Sequence, residues 1–78
     1  MMTETYRHPF VKRRKLLGLT QREVGDAAGV RSRAVQDWEA GKHEPKLTAK
    51  GFANLCRLMK CSIEDLANDF EDLKQSEN

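Results

Sequence analysis

The 78-residue sequence has few of the residues from which disulfide-stabilised and metal-binding domains are built. Its two cysteines, Cys56 and Cys61, are too few for a disulfide framework. The two histidines, His8 and His43, lie far from them in sequence and show no zinc-ligand spacing. We therefore expect no metal, no cofactor and two reduced thiols, at least one of them in the core.

Long apolar runs are also absent. No run reaches 18 apolar residues, so no membrane-spanning helix is expected, and residues 1–6 lack the apolar segment of a signal peptide. No base and nucleophile stand at a recognisable spacing, and one small core cannot shape a sizeable pocket. We expect a cytoplasmic protein that is not an enzyme and has no membrane partner.

Charge is distributed unevenly along the chain. Residues 1–61 carry 13 Lys and Arg against 6 Asp and Glu, whereas residues 62–78 carry 1 Lys against 6 Asp and Glu. A basic body suits a polyanion, because phosphate binding depends on local charge rather than on the total. The acidic end suits a basic protein partner, an autoinhibitory contact or plain solvation.

Hydrophobic periodicity and the placement of Gly and Pro predict five helices and no strand. We expect a flexible N-terminal arm over 1–8, a helical domain over 9–73 and a frayed tail over 74–78. The expected helices cover residues 9–17, 20–28, 32–40, 48–60 and 63–73.

Local signals set these boundaries. Thr20 and Glu23 form a capping box, and Thr48 and Ser62 are suitable N-caps for the last two helices. In the first helix the apolar residues Phe10, Leu16 and Leu17 are expected to face inward. Gly51 lies inside the fourth helix, which indicates either a close helix approach or a tolerated weakness.

The second and third helices are short and are joined by a tight turn at Gly29. Two such helices form a DNA reader, because the major groove admits one helix and side chains near its start reach base edges. The apolar positions between Thr20 and Trp38 all face one way, which leaves a polar set exposed on the other side.

At these residues the sequence resembles the Cro- and repressor-type (XRE-like) helix-turn-helix family of bacteria and phages. The resemblance covers about residues 9–67 and implies a compact, all-α, five-helix, lambda-repressor-like helix-turn-helix domain that binds double-stranded DNA. The matching residues are Arg14, the runs 18–24 (GLTQREV), 28–30 (AGV) and 34–41 (AVQDWEAG), and Pro45.

The resemblance also implies roles for single residues. Arg33 is the leading base reader, because an arginine can bond a guanine edge in bidentate fashion. Gln36 would reach an adenine edge or a phosphate. The full DNA-binding set expected on these grounds is Gln21, Arg31, Ser32, Arg33, Gln36, Asp37, Lys42 and His43.

Two further pairs complete the expectations. Arg14 and Glu39 resemble the family's buried ion pair, with an architectural role, and Trp38 is expected in the core. Phe70 and Leu73 continue the apolar stripe of the fifth helix and are the expected homodimer surface, the alternative being that they cover the monomer's core. A dimer would place two reading helices about 34 Å apart, one turn of DNA.

The sequence departs from the family at three places. Asp37 is a carboxylate where a residue facing DNA is expected; it would repel phosphate, accept from a cytosine amino group, or pair with Arg33 one turn earlier. Arg31 stands where the family usually has a small hydroxyl residue as the N-cap of the third helix, so Ser32 would have to provide the cap. The stretch from Pro45 to the end of the next helix is about two residues longer than in the family. The leading hypothesis is a sequence-specific transcription regulator that acts as a dimer. Asp37 and the acidic tail motivate the rival hypothesis, a protein-interaction module or antitoxin with weak or lost DNA binding.

Overall fold

The computed structural model describes residues 8–75 and shows five α-helices, with no strand in that range. They are α1 (Pro9–Leu16), α2 (Gln21–Ala28), α3 (Ser32–Glu39), α4 (Ala49–Met59) and α5 (Ile63–Gln75). The all-α class predicted from the sequence is confirmed. The arm expected over 1–8 lies outside the described residues except for His8, as do residues 76–78 of the expected tail. Residues 74 and 75 continue α5 instead of leaving it.

Three of the helices have an N-cap residue whose side chain accepts a hydrogen bond from the first turn. The hydroxyl of Thr20 accepts the N–H of Glu23 at 3.0 Å, and the Glu23 carboxylate accepts the N–H of Thr20 at 2.8 Å, which completes the capping box. Thr48 accepts the N–H of Gly51 at 3.0 Å, and Ser62 accepts that of Asp65 at 3.0 Å. Each cap satisfies backbone N–H groups that have no partner within the helix.

Helices α1 to α4 all end in the same way. A residue with left-handed backbone follows directly after α2 (Gly29) and α4 (Lys60), and one residue later after α1 (Gly18) and α3 (Gly41). The next N–H then returns to a carbonyl five residues earlier, in the Schellman arrangement. These bonds are Leu19 to Arg14 at 3.0 Å, Val30 to Gly25 at 2.9 Å, Lys42 to Asp37 at 2.9 Å and Cys61 to Cys56 at 3.1 Å.

One core forms where the five helices meet. An aromatic cluster lies at its centre, with ring centroids 5.4 Å apart for Phe10 and Phe70 and 5.7 Å apart for Trp38 and Phe70. Trp38 is 3 % exposed, as its expected core position requires. The buried hydrophobic residues are Phe10, Val24, Ala28, Val35, Trp38, Leu55, Cys56, Met59, Leu66 and Leu73.

Two sequence-based expectations about apolar residues were wrong. Phe10 is buried as expected, but Leu16 is 76 % exposed and Leu17 is 37 % exposed, because α1 ends there and Arg14, four residues after Phe10, takes the next inward position. Leu73 is 2 % exposed and Phe70 packs against the core, so both cover the monomer itself. These two side chains do not form an exposed dimer surface.

Two glycines allow backbones to approach closely. A Cβ on Gly51 would meet the carbonyl oxygen of Ala28 at the end of α2, so the close helix approach is the correct explanation of this glycine. A Cβ on Gly25 would lie 2.7 Å from the carbonyl oxygen of Val30, in the turn that leads into α3. Both contacts fix the relative positions of α2, α3 and α4.

None of the described helices is long and apolar enough to span a bilayer.

Candidate nucleic-acid interface

The inner faces of α2 and α3 hold the two helices together. Val24 and Ala28 of α2 are buried with Val35 and Trp38 of α3. Gly29, with φ of 81°, reverses the chain between them, and only a glycine takes this conformation without strain. Because the buried positions share one side, the opposite side of α3 faces outward as a unit.

That outer side carries the basic and amide residues expected to read DNA. The side chain of Arg33 is 77 % exposed, and Arg31 and Gln36 are also exposed. Lys42 and His43 are exposed in the loop that follows α3, and Ser32 is half-buried. Of the residues that the sequence placed at the interface, Gln21 lies at the start of α2, and the others lie on α3, directly before it, or in the loop that follows it.

The start of α3 differs from the expectation in one respect. Arg31 is the N-cap residue, its side chain makes no capping hydrogen bond, and Ser32 is already the first residue of the helix. Ser32 therefore does not serve as the cap, because a capping side chain must come from the residue before the helix. The first N–H groups of α3 have no side-chain cap, and such groups are donors suited to a phosphate.

Asp37 lies between the guanidinium of Arg33 and the imidazole of His43. Its Oδ1 is 3.5 Å from Nε of Arg33, one turn earlier on α3, and its Oδ2 is 3.9 Å from Nε2 of His43 in the loop. The Asp37 side chain is 19 % exposed, whereas Arg33 and His43 extend into solvent. A carboxylate that would otherwise repel phosphate thus has the positive charge of Arg33 one helical turn away.

An open groove of about 560 Å³ runs between α3 and the following loop. Its apolar floor consists of Val30, Ala34 and Trp38. Its rim is mostly charged and consists of Asp37, Lys42, His43, Glu44 and Lys46. The groove separates the exposed face of α3 from the loop residues expected at the DNA backbone.

A nearly buried network connects α1, α2 and α3. Arg14 donates to both carboxylate oxygens of Glu39, from Nε at 2.7 Å and from Nη2 at 3.0 Å, in a bidentate pair. The third Arg14 nitrogen donates to the carbonyl of Leu19 at 2.8 Å. The two charged side chains are 8 % and 10 % exposed. The structure thus brings together the two residues that the family resemblance paired.

Gln21 belongs to the same network. Its amide nitrogen donates to Glu39 at 2.9 Å, so the residue expected to touch a phosphate is held by the end of α3. An amide nitrogen carries a second N–H, which is the donor left for a phosphate oxygen. Glu39 thereby fixes α1 to α3 and orients Gln21 at the start of α2.

Sequence reasoning missed a second ion pair, between α1 and α5. Nε of Arg13 donates to Oδ2 of Asp69 at 2.9 Å, and Asp69 is 4 % exposed. The hydrogen bond to Asp69 raises the pKa of the Arg13 guanidinium. The signal was present, because Asp69 lies three residues after Leu66 and four before Leu73, on the buried stripe of α5.

Sequence comparison assigns the chain to a family. A model of the helix-turn-helix family matches residues 11–49, which is half of the chain. The matched segment contains all of α2 and α3, the loop after them, and nearly all of α1. No curated protein and no solved structure matches the chain.

Proposed function

We propose that this chain, which belongs to the helix-turn-helix family of the Cro and repressor type, is a sequence-specific DNA-binding transcriptional regulator. The observation that carries the proposal is the outer face of α3. It presents Arg31, Arg33 and Gln36 to solvent beside a helix start without a side-chain cap. We place its action in the cytoplasm of a bacterium or of a phage-infected cell.

In this proposal α3 enters the major groove and Arg33 reads a guanine edge. Its exposed guanidinium has a rigid fork of donors that fits two guanine acceptors at once. Asp37 limits the directions that Arg33 takes, or accepts from the amino group of a neighbouring cytosine. Gln36 reaches an adenine edge or a phosphate.

Other residues position the protein on the DNA backbone. Arg31 and Ser32 lie at the start of α3, where backbone N–H groups and a positive charge meet a phosphate. Lys42 and His43 approach the backbone from the loop, and Gln21 from the start of α2. Contacts of this kind supply affinity without sequence information, and salt weakens them.

We further propose that the regulator acts as a homodimer, because a single small domain makes few base contacts. Phe70 and Leu73 are not available for the pairing, since they cover the core. Among the described residues, the large hydrophobic side chains left exposed are Leu16, Leu17 and Ile63. We propose that these three side chains contribute to the dimer contact.

One observation favours a second candidate function. Four acidic residues of α5 face solvent, namely Glu64, Asp65, Glu71 and Asp72. An acidic helix face on a basic body suits a protein-interaction module or an antitoxin, in which this helix contacts a basic partner. DNA binding would then be weak or absent.

Selection from random-sequence duplex pools at two salt concentrations tests the proposal. We expect enrichment of a palindrome whose half-sites lie about one helical turn apart, with affinity that falls steeply as salt rises. Arg33→Ala should weaken specific binding about 10- to 100-fold and relax the preference at one position. Arg57→Ala removes an exposed arginine of α4 and should leave the preference unchanged.

The same experiment separates the two candidates. Enrichment that survives Arg33→Ala with the same base preference would show that another residue reads the DNA. No enrichment, together with no binding at low salt, would refute the regulator and support the protein-interaction module.

A further inference from the structure

The two cysteines stand at the two ends of one backbone hydrogen bond. The N–H of Cys61 donates to the carbonyl of Cys56 at 3.1 Å, across the turn that ends α4. Lys60 is left-handed there, with φ of 55° and ψ of 47°, and its N–H returns to Arg57 at 3.2 Å. These are the two bonds of a Schellman motif, which frequently brings the side chains at its outer two positions into contact, and Cys61 packs against the core cluster that contains Cys56.

The other helix ends show what normally occupies these two positions. In α1 they hold Arg14 and Leu19, and in α3 they hold Asp37 and Lys42. Neither pair can form a covalent bond under ordinary conditions. At the end of α4 the same geometry holds two thiols, and it does so with a lysine in the left-handed position where α1, α2 and α3 have glycine.

The two thiols differ in access. Cys56 is 7 % exposed and belongs to the core, and its sulfur is 3.9 Å from the carbonyl oxygen of Ser62. Cys61 is half-buried and packs against that core. Burial raises the pKa of both thiols, and the charge of Arg13 opposes this at Cys61. A reagent in solution therefore reaches Cys61 first.

We propose that Cys56 and Cys61 are a redox-active pair that forms an intramolecular disulfide by exchange with a low-molecular-weight disulfide. The Cys61 thiolate attacks one sulfur of the small disulfide, forms a mixed disulfide and releases the first small thiol. The Cys56 thiolate then attacks the Cys61 sulfur and releases the second. The protein loses two electrons and two protons, and the small disulfide gains both as two thiols.

The backbone geometry favours the second step over the first. A Schellman turn holds positions 56 and 61 together without cost once the chain is folded, which raises the effective concentration of Cys56 at the Cys61 sulfur. The mixed disulfide should therefore be short-lived and the closed form should accumulate. The inference concerns the turn after α4 and does not depend on DNA binding.

Equilibration of the full chain with defined mixtures of reduced and oxidised glutathione tests the pair. Acid-quenched samples are analysed by mass spectrometry, in native buffer and in concentrated urea. We expect the native chain to lose two hydrogens without keeping glutathione, with an effective thiol concentration at least about tenfold higher than in urea. Cys56→Ser should instead retain one glutathione on Cys61.

Two outcomes would overturn the inference. One is a native chain that keeps one or two glutathione groups as stable adducts. The other is an effective concentration in native buffer that is no higher than in urea, because the fold would then contribute nothing to closure. Cys61→Ser guards against a folding artefact: it should stay folded by circular dichroism and take up glutathione far more slowly than Cys56→Ser.

Discussion

Removal of Arg14 tests the architectural role of the buried network most directly. Arg14→Met keeps an extended side chain but deletes three hydrogen bonds, two to Glu39 and one to the carbonyl of Leu19. The Glu39 carboxylate, 10 % exposed, is then left with the Gln21 amide as its remaining partner in this network. Stranding one member of a buried pair costs about 3–5 kcal/mol.

That cost is comparable with the whole stability of so small a domain. A single core of fewer than about 80 residues supplies roughly 3–5 kcal/mol. We therefore expect Arg14→Met to be largely unfolded, as measured by urea denaturation followed by helical circular dichroism. The double variant Arg14→Met/Glu39→Met removes both charges, and we expect its free energy of unfolding to return to within about 2 kcal/mol of the original chain.

Two results of this double-mutant cycle would refute the reasoning. If Arg14→Met costs less than about 1 kcal/mol, the pair behaves as a surface ion pair and its burial has no energetic consequence. If the double variant is less stable than Arg14→Met alone, the side chains are needed for packing rather than for mutual neutralisation. Arg57→Ala, on the exposed side of α4, is the control and should change stability by less than about 0.5 kcal/mol.

Three further predictions concern single features of the fold. Gly51→Ala gains about 1 kcal/mol of helix propensity, but its methyl group meets the carbonyl oxygen of Ala28, so we expect net destabilisation by about 1–3 kcal/mol in urea denaturation. Unchanged stability would mean that α4 can move away from α2. Arg31→Ser should raise stability by about 1 kcal/mol by capping α3, while DNA affinity in a binding titration falls because a positive charge is lost. A gain in both would show that Arg31 does not contact DNA. Burial in the fold raises the pKa of Cys56 and Cys61, so the folded thiols stay protonated at pH values at which the unfolded thiols ionise. Stability is therefore complete below the pKa of an unfolded thiol and should fall as the pH rises through and above it, and Cys56→Ala should reduce this alkaline loss in thermal denaturation.

The parts of the fold that could be predicted from the sequence are those that depend on short-range interactions. The caps at Thr20, Thr48 and Ser62 are short-range chemistry, so the sequence shows them directly. The turn at Gly29 was equally predictable from the sequence, because left-handed backbone favours glycine. The meeting of Arg14 and Glu39, 25 residues apart, was predicted from the family resemblance and not from spacing.

What the sequence did not predict depends on where helices end and how they meet. Leu16 and Leu17 look like core residues, but α1 stops at that point and the turn carries them outward. Asp69 lies on a stripe that otherwise reads as apolar, and its partner Arg13 is 56 residues away. The need for glycine at position 25 depends on the path of the following turn, which composition does not reveal.

Backbone contacts, and not the side chains that face outward, hold α3 in position. Gly51 packs against the Ala28 carbonyl, and Gly25 leaves room for the Val30 carbonyl, so both contacts are kept when the exposed residues of α3 change. Arg31 and Gln36 are open to solvent and hold nothing else in place. If the proposed function is correct, single replacements at these exposed positions would change the DNA sequence that is read, while the contacts that position α3 stay as they are.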